Sequence, residues 1–110
     1  MPVVRKVVFR TEDSNDYDTI PNFIHTLRTN SMYRYVVEDL MARPGFIKKE
    51  YIMREDKSGQ SFISQILFED WNSFNNYMNT EETESIWEFL KISAGQSNIT
   101  YELTDEEING

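Results

Sequence analysis

The chain has no cysteine among its 110 residues, one histidine, three prolines and four glycines, and only 11 basic side chains against 19 acidic ones. Each shortage excludes something. Without cysteine there are no disulfides, thiol nucleophiles or thiolate metal sites, a usage that fits a cytoplasmic protein. With His25 alone, a transition-metal site would rest on carboxylates, a poor match for zinc or iron, so no metal is expected. The few glycines form no phosphate-cradling loop and no nucleophile elbow. A net charge of −8 and a pI near 4.6 oppose binding to nucleic acid or to an anionic membrane, because phosphate contacts need clustered cations. No apolar run approaches the roughly 18 residues of a membrane span. The apolar part of the first eight residues is too short for a signal peptide and lacks a small-residue cleavage site, so a cytoplasmic location is expected.

What is present is a core. The composition is 39% hydrophobic and 14% aromatic, which is globular, and the length suits one domain. We expect that domain over residues 1–104, with an acidic tail at 105–110. Residues 3–10, VVRKVVFR, alternate as a strand with Val3, Arg5, Val7 and Phe9 on one face and Val4, Lys6, Val8 and Arg10 on the other. The polar stretch TEDSNDYD is a loop, and Asp18 or Thr19 is expected to cap the helix after it. Ile20, Phe23, Ile24 and Leu27 make one helical stripe, and Met32, Tyr33, Val36, Val37, Leu40 and Met41 make a second. The 16 residues from Ile20 to Val36 leave an offset of about 160° at about 100° per residue. A straight helix would put the two stripes on opposite sides, so the spacing predicts a break at Thr29–Ser31, capped by Asn30 or Ser31.

Pro44-Gly45 stops the second helix. Residues 46–54 and 61–68 then read as a β-hairpin around Asp56-Lys57-Ser58-Gly59. Asp70 is placed to cap a short helix with Phe74, Tyr77 and Met78 inward, and Thr80-Glu81-Glu82 to open another that ends at Gly95. Residues 98–103 form the last strand. The order strand, broken helix, strand, strand, broken helix, strand is the ferredoxin-like βαββαβ arrangement, an α+β fold with an antiparallel sheet and its helices on one face. Val4, Val8, Ile63 and Leu67 would then sit on the uncovered face. A second copy of the sheet is the simplest cover, giving a homodimer.

The stretches ARPGFIKKEYI and SFISQILFEDWNSFNNYMNTEETESIWEFL resemble the antibiotic biosynthesis monooxygenase-like domains of the dimeric α+β barrel superfamily. The resemblance covers roughly residues 3–103. It implies a homodimer whose paired sheets form a barrel, with a ligand cavity between each sheet and its own helices. It speaks for fold more than for function, because relatives of this architecture serve many activities. Haem-degrading members carry an Asn on strand 1, a Trp ending strand 3 and a late His. Here strand 1 has no Asn, Phe68 takes the Trp position and Trp87 lies near the His position, so haem degradation is not expected. Cofactor-free monooxygenase members rely on Trp, Asn, Tyr or Arg side chains, types present in Trp71, Asn72, Asn75, Tyr77 and Trp87.

If Phe68 faces the helices, so do Phe62, Ser64 and Ile66. They would look onto Ile24, Leu27, Tyr33, Val36 and Leu40 on one side and Phe74, Tyr77, Met78 and Trp87 on the other. Seven phenylalanines, six tyrosines and five methionines suit an adaptable lining, and the same set also describes an ordinary packed core. The sequence predicts an apolar slot for a small apolar or amphipathic, fatty-acid-like molecule, with Arg34, Arg5 or Lys48 meeting an anionic end and no cofactor. The alternatives are a cofactor-free monooxygenase or isomerase acting on an aromatic or polyketide-like substrate, and a structural interaction domain with no small ligand. His25, off the strict stripe, has a suitable ordinary pKa for a base, but a lone helical histidine is more often incidental.

Overall fold

A computed structural model describes residues 1–11, 16–56 and 59–108, apart from the Asp56 side chain. The elements are β1 (Val3–Thr11), α1 (Thr19–Thr29), α2 (Ser31–Met41), β2 (Phe46–Asp56), β3 (Gly59–Phe68), α3 (Trp71–Met78), α4 (Glu81–Gln96) and β4 (Ile99–Glu107). The sheet order is β2-β3-β1-β4 with every pair antiparallel, so each helical pair crosses from one strand to its next-but-one neighbour. This is the expected ferredoxin-like α+β fold. Positions 12–15 of the first loop, 57 and 58 of the hairpin and 109 and 110 of the tail lie outside the described residues.

The helix break falls where the phase of the apolar stripes puts it. Asn30 leaves helical geometry at ψ 118 and its side chain accepts from the Tyr33 N–H at 2.8 Å, starting α2 on a new face. That face buries Val36 and Leu40, while α1 buries Ile20, Phe23 and Leu27. Asp70 and Thr80 cap α3 and α4 through the Ser73 and Thr83 N–H groups. The cap of α1 differs from expectation. Asp18 makes no side-chain cap bond, and Asp16 instead accepts from the Thr19 and Asp18 N–H groups at 3.0 and 3.1 Å.

Helix α4 also runs past Gly95, and the left-handed residue that turns the chain into β4 is Asn98, at φ 57, a residue type that tolerates this region. The expected strand end at 103 and tail at 105–110 are corrected as well. Strand β4 pairs with β1 as far as Glu107 opposite Val3. The extension is held by a two-pronged ion pair between Arg5 and Asp105, at 2.8 and 2.9 Å, and by the Trp71 Nε1–H donating to Glu107 at 2.6 Å.

The core lies between sheet and helices. One half gathers Phe9, Phe23, Leu27, Phe62 and Leu90, and the other Val3, Val36, Leu40, Phe68, Phe74 and Tyr77. Phe68, wholly buried, meets Phe74 edge-on and Tyr77 face-on, with ring centres 6.1 and 5.7 Å apart. Gly45, at φ +84, accepts from the Glu69 N–H at 2.8 Å and packs so tightly that a Cβ there would collide with the Ser73 side chain. Gly45→Ala should therefore lower stability by about 2 kcal/mol. Gly95→Ala adds a methyl that meets nothing within 4 Å and should raise it by about 0.5–1 kcal/mol. Urea denaturation of the two variants beside the parent chain checks both signs.

Candidate functional site

The side chains of β2 are aimed by its pairing with β3. Asp56 pairs with Gly59, and counting back gives Met53 opposite Phe62, Tyr51 opposite Ser64 and Lys49 opposite Ile66. Phe62, Ser64 and Ile66 belong to the buried, helix-facing row of β3, and directly paired residues share a face. Met53, Tyr51 and Lys49 therefore face the helices. An irregularity between Phe46 and Lys48 lets Phe46 turn inward too, its ring edge-on to Phe68 at 6.0 Å.

Three groups meet there. The Tyr51 ring stacks on Phe62 at 5.1 Å, and its hydroxyl is hydrogen-bonded to that of Tyr33, from the first turn of α2, at 2.5 Å. The Lys49 Nζ lies 3.9 Å from the centre of the Tyr51 ring and 5.9 Å from that of Tyr33. Among the described residues no ion pair or hydrogen bond holds this amine; aromatic faces are its seat. Burial with no countercharge pulls its pKa down to about 7, so a large fraction is a free base at neutral pH. Burial pushes the hydroxyls of Tyr33, Tyr51 and Tyr77 above their ordinary value, which keeps them protonated as donors.

The space around these groups is divided. A cavity of about 250 Å³ lies between α1, the start of α2 and the β2–β3 hairpin, walled by Ile24, Leu27, Tyr33, Tyr51, Met53 and Phe62 with Arg28 at its edge. A second void, of about 30 Å³, lies deeper, bordered by Tyr33, Val36, Leu40, Lys49, Ser64, Ile66, Tyr77 and Trp87 among others, and has room for about one water. Beyond it, an open groove of about 770 Å³ runs between α3, α4 and the end of β4, past Arg5, Trp71, Phe74, Met78, Trp87 and Asp105. Trp87 borders the deeper void and this groove, and its Nε1–H is buried without a hydrogen-bond partner among the described residues.

The apolar residues expected to share one slot are thus spread over three spaces, and Phe68 lines none of them because it is packed solid. The anion anchors are placed differently from expectation. Lys48 points to the far face of the sheet and pairs with Glu50 at 3.1 Å. Arg5 does face the helices, beneath Trp87 and Phe74 at 4.9 and 5.3 Å, but Asp105 already occupies its guanidinium. Arg34 and His25 are exposed and border none of these spaces. Lys49, Tyr51, Met53 and Arg28 are not among the site residues expected from the sequence. The alternation of β2 carried the signal for three of them, had it been counted from the hairpin.

No family model and no curated protein matches the chain. Solved structures do. SnoaB of Streptomyces nogalater, a cofactor-independent oxygenase, superposes in a variant form with a TM-score of 0.66 at 14% identity over 99% of this chain and 94% of its own. The ActVA-Orf6 monooxygenase of Streptomyces coelicolor, in complex with nanaomycin D, does so with a TM-score of 0.66 at 15% identity over 98% and 88%. A de novo designed protein, Foldit4, also matches, with a TM-score of 0.60 at 12% identity over 99% and 100%. The fold of the antibiotic biosynthesis monooxygenases is therefore present here, as the sequence resemblance implied. At these identities the likeness is one of fold.

Lys49 predicts a pH dependence of stability. Its folded pKa lies below that of a free lysine, so between about pH 7 and 10.5 the unfolded chain binds more protons and stability rises with pH. The cost of burying the charge is in full force below pH 7. Denaturant titrations at pH 6 and pH 9 should show a gain of about 1–2 kcal/mol from this group on going up in pH. Lys49→Met, which keeps the stem and removes the charge, should lose that rise and be the more stable protein at pH 6.

Proposed function

We propose that the domain is a homodimeric, cofactor-free monooxygenase acting on a compact hydroxyaromatic molecule seated against Tyr33 and Tyr51. The observation that carries this reading is the Lys49 amine, seated without a countercharge on the faces of a hydrogen-bonded tyrosine pair that borders a 250 Å³ apolar cavity. Lys49 borders the one-water void behind the pair, so the phenol's proton reaches its free-base form through the Tyr33–Tyr51 hydroxyls and that void. The phenolate left behind is poorly solvated among Ile24, Leu27, Met53 and Phe62, with Arg28 as the cation at the cavity edge, and is correspondingly easier to oxidise. Dioxygen then forms a C–O bond at the open para carbon. Cleavage of the O–O bond expels water and leaves a quinone. The substrate supplies all four electrons, one oxygen atom enters the product and the other leaves as water, so no external reductant is needed. The activities of the two Streptomyces proteins sharing the fold support this choice without deciding it.

The same apolar wall suits a carrier of a fatty-acid-like molecule. A cavity of about 250 Å³ is just below the roughly 300–1,000 Å³ of sites for drug-sized ligands, and that favours a compact ring system over an extended chain. An oxygen electrode with naphthols or anthrones as substrate tests the proposal. One O2 consumed per quinone formed is expected, with kcat/KM reduced about 100-fold in Lys49→Met and about tenfold in Tyr51→Phe. Tight binding by calorimetry without oxygen uptake would make the domain a carrier, and neither binding nor uptake would leave the structural role.

The homodimer rests on the far face of the sheet. Val4, Val8, Ile52, Ile63 and Leu67 cluster there through the pairs Val4–Leu67, Val8–Ile63 and Ile52–Ile63. All the helices lie on the opposite side, so face-to-face packing of two sheets leaves both cavities free. Light scattering at micromolar concentration should give twice the 13.1 kDa of the chain, and Val8→Glu should shift it to monomer. A monomeric parent chain would overturn the pairing.

A further inference from the structure

We propose that Lys49 also captures small aldehydes and ketones covalently, through a carbinolamine that dehydrates to an imine at the Tyr33–Tyr51 wall. This goes beyond oxygenation and does not depend on it. A lysine nucleophile needs an amine free of carboxylates, an apolar seat that favours the neutral form, and donors for the carbonyl oxygen. Lys49 has the first because the elements packed against it present no free acid. Helix α2 brings Tyr33, β3 brings Ser64 and Ile66, α3 brings Tyr77 and α4 brings Trp87. The nearby carboxylate of α2, Asp39, is held by Arg43 at 2.9 Å. The seat is the pair of tyrosine faces at 3.9 and 5.9 Å. The donors are the hydroxyls of the same tyrosines and of buried Ser64.

The other described lysines differ. Lys48 is exposed and paired with Glu50, Lys91 is exposed on α4, and Lys6 lies on the helix-free face of β1.

The step balances without a redox partner. The nitrogen lone pair forms the C–N bond as the carbonyl π pair moves to oxygen, and a proton passes from nitrogen to that oxygen. The nitrogen then gives up its remaining proton as the hydroxyl takes one and leaves as water, and the nitrogen pair forms the C=N bond of the imine, which water can reverse. The ligand class is an aldehyde or ketone of two or three carbons, because the void that Lys49 borders is only about 30 Å³.

Acetaldehyde with cyanoborohydride at pH 7 traps the imine as an ethyl group, and peptide mapping by mass spectrometry locates it. Lys49 should be modified at least ten times faster than Lys6, Lys48 or Lys91, and its rate should saturate with acetaldehyde. Lys48→Met should leave this pattern unchanged. Tyr51→Phe, which keeps the ring beneath the amine, should still label at Lys49. Equal labelling of Lys6, Lys48, Lys49 and Lys91, or a rate at Lys49 no faster than at Lys48, would overturn the proposal. Trapping needs no oxygen turnover, so capture without oxygen uptake, or uptake without capture, separates this inference from the monooxygenase reading.

Discussion

The pairing register of β2 against β3 governs what the molecule can do. Counting in from the Phe46–Phe68 pair would bring Lys48 and Glu50 to the helix side, and counting in from the Asp56–Gly59 pair brings Lys49, Tyr51 and Met53 there. The irregularity after Phe46 reconciles the two ends, so that Phe46 joins Phe68 in the core while the hairpin keeps its own count. A slip of one residue exchanges the faces of a strand completely. Here it would swap an unpaired amine on two aromatic rings for a solvated Lys–Glu pair.

That dependence explains what was legible in the sequence. The architecture was, because each element carries its own local signal: Asn30 between two out-of-phase stripes, Asp70 and Thr80 ahead of their helices, Pro44-Gly45 before β2. These signals act over three or four residues and agree with one another. The helix-facing row of β3 was legible for the same reason. The site was not, since Lys48 and Lys49 are adjacent and chemically alike, and only a long-range count tells which faces inward. Nor could composition show that Asp105 claims Arg5, because the two are joined across β1 and β4, 100 residues apart. The acidic end of the chain read as a solvated tail and is instead the edge of the sheet.

Fold and function separate cleanly in this molecule. A designed protein shares the architecture as two oxygenases do, so the layers alone define no chemistry. What is individual is the small side chain of Ser64 in a row of large ones. It leaves space beside Tyr33 and Lys49 and lets an amine remain in an apolar setting that ordinary packing would have filled.

The charges of β4 carry one more consequence, for solubility. An edge strand offers unpaired backbone groups to any similar strand it meets, and proteins guard such edges with charge. Strand β4 carries Glu102, Asp105, Glu106 and Glu107, with Glu102 and Glu106 on the face away from the helices. Two such edges repel each other, which discourages the sheet from growing sideways into filaments. Growth along the sheet is thereby blocked while the apolar centre of its open face is left clear, and self-association is channelled into a closed pair.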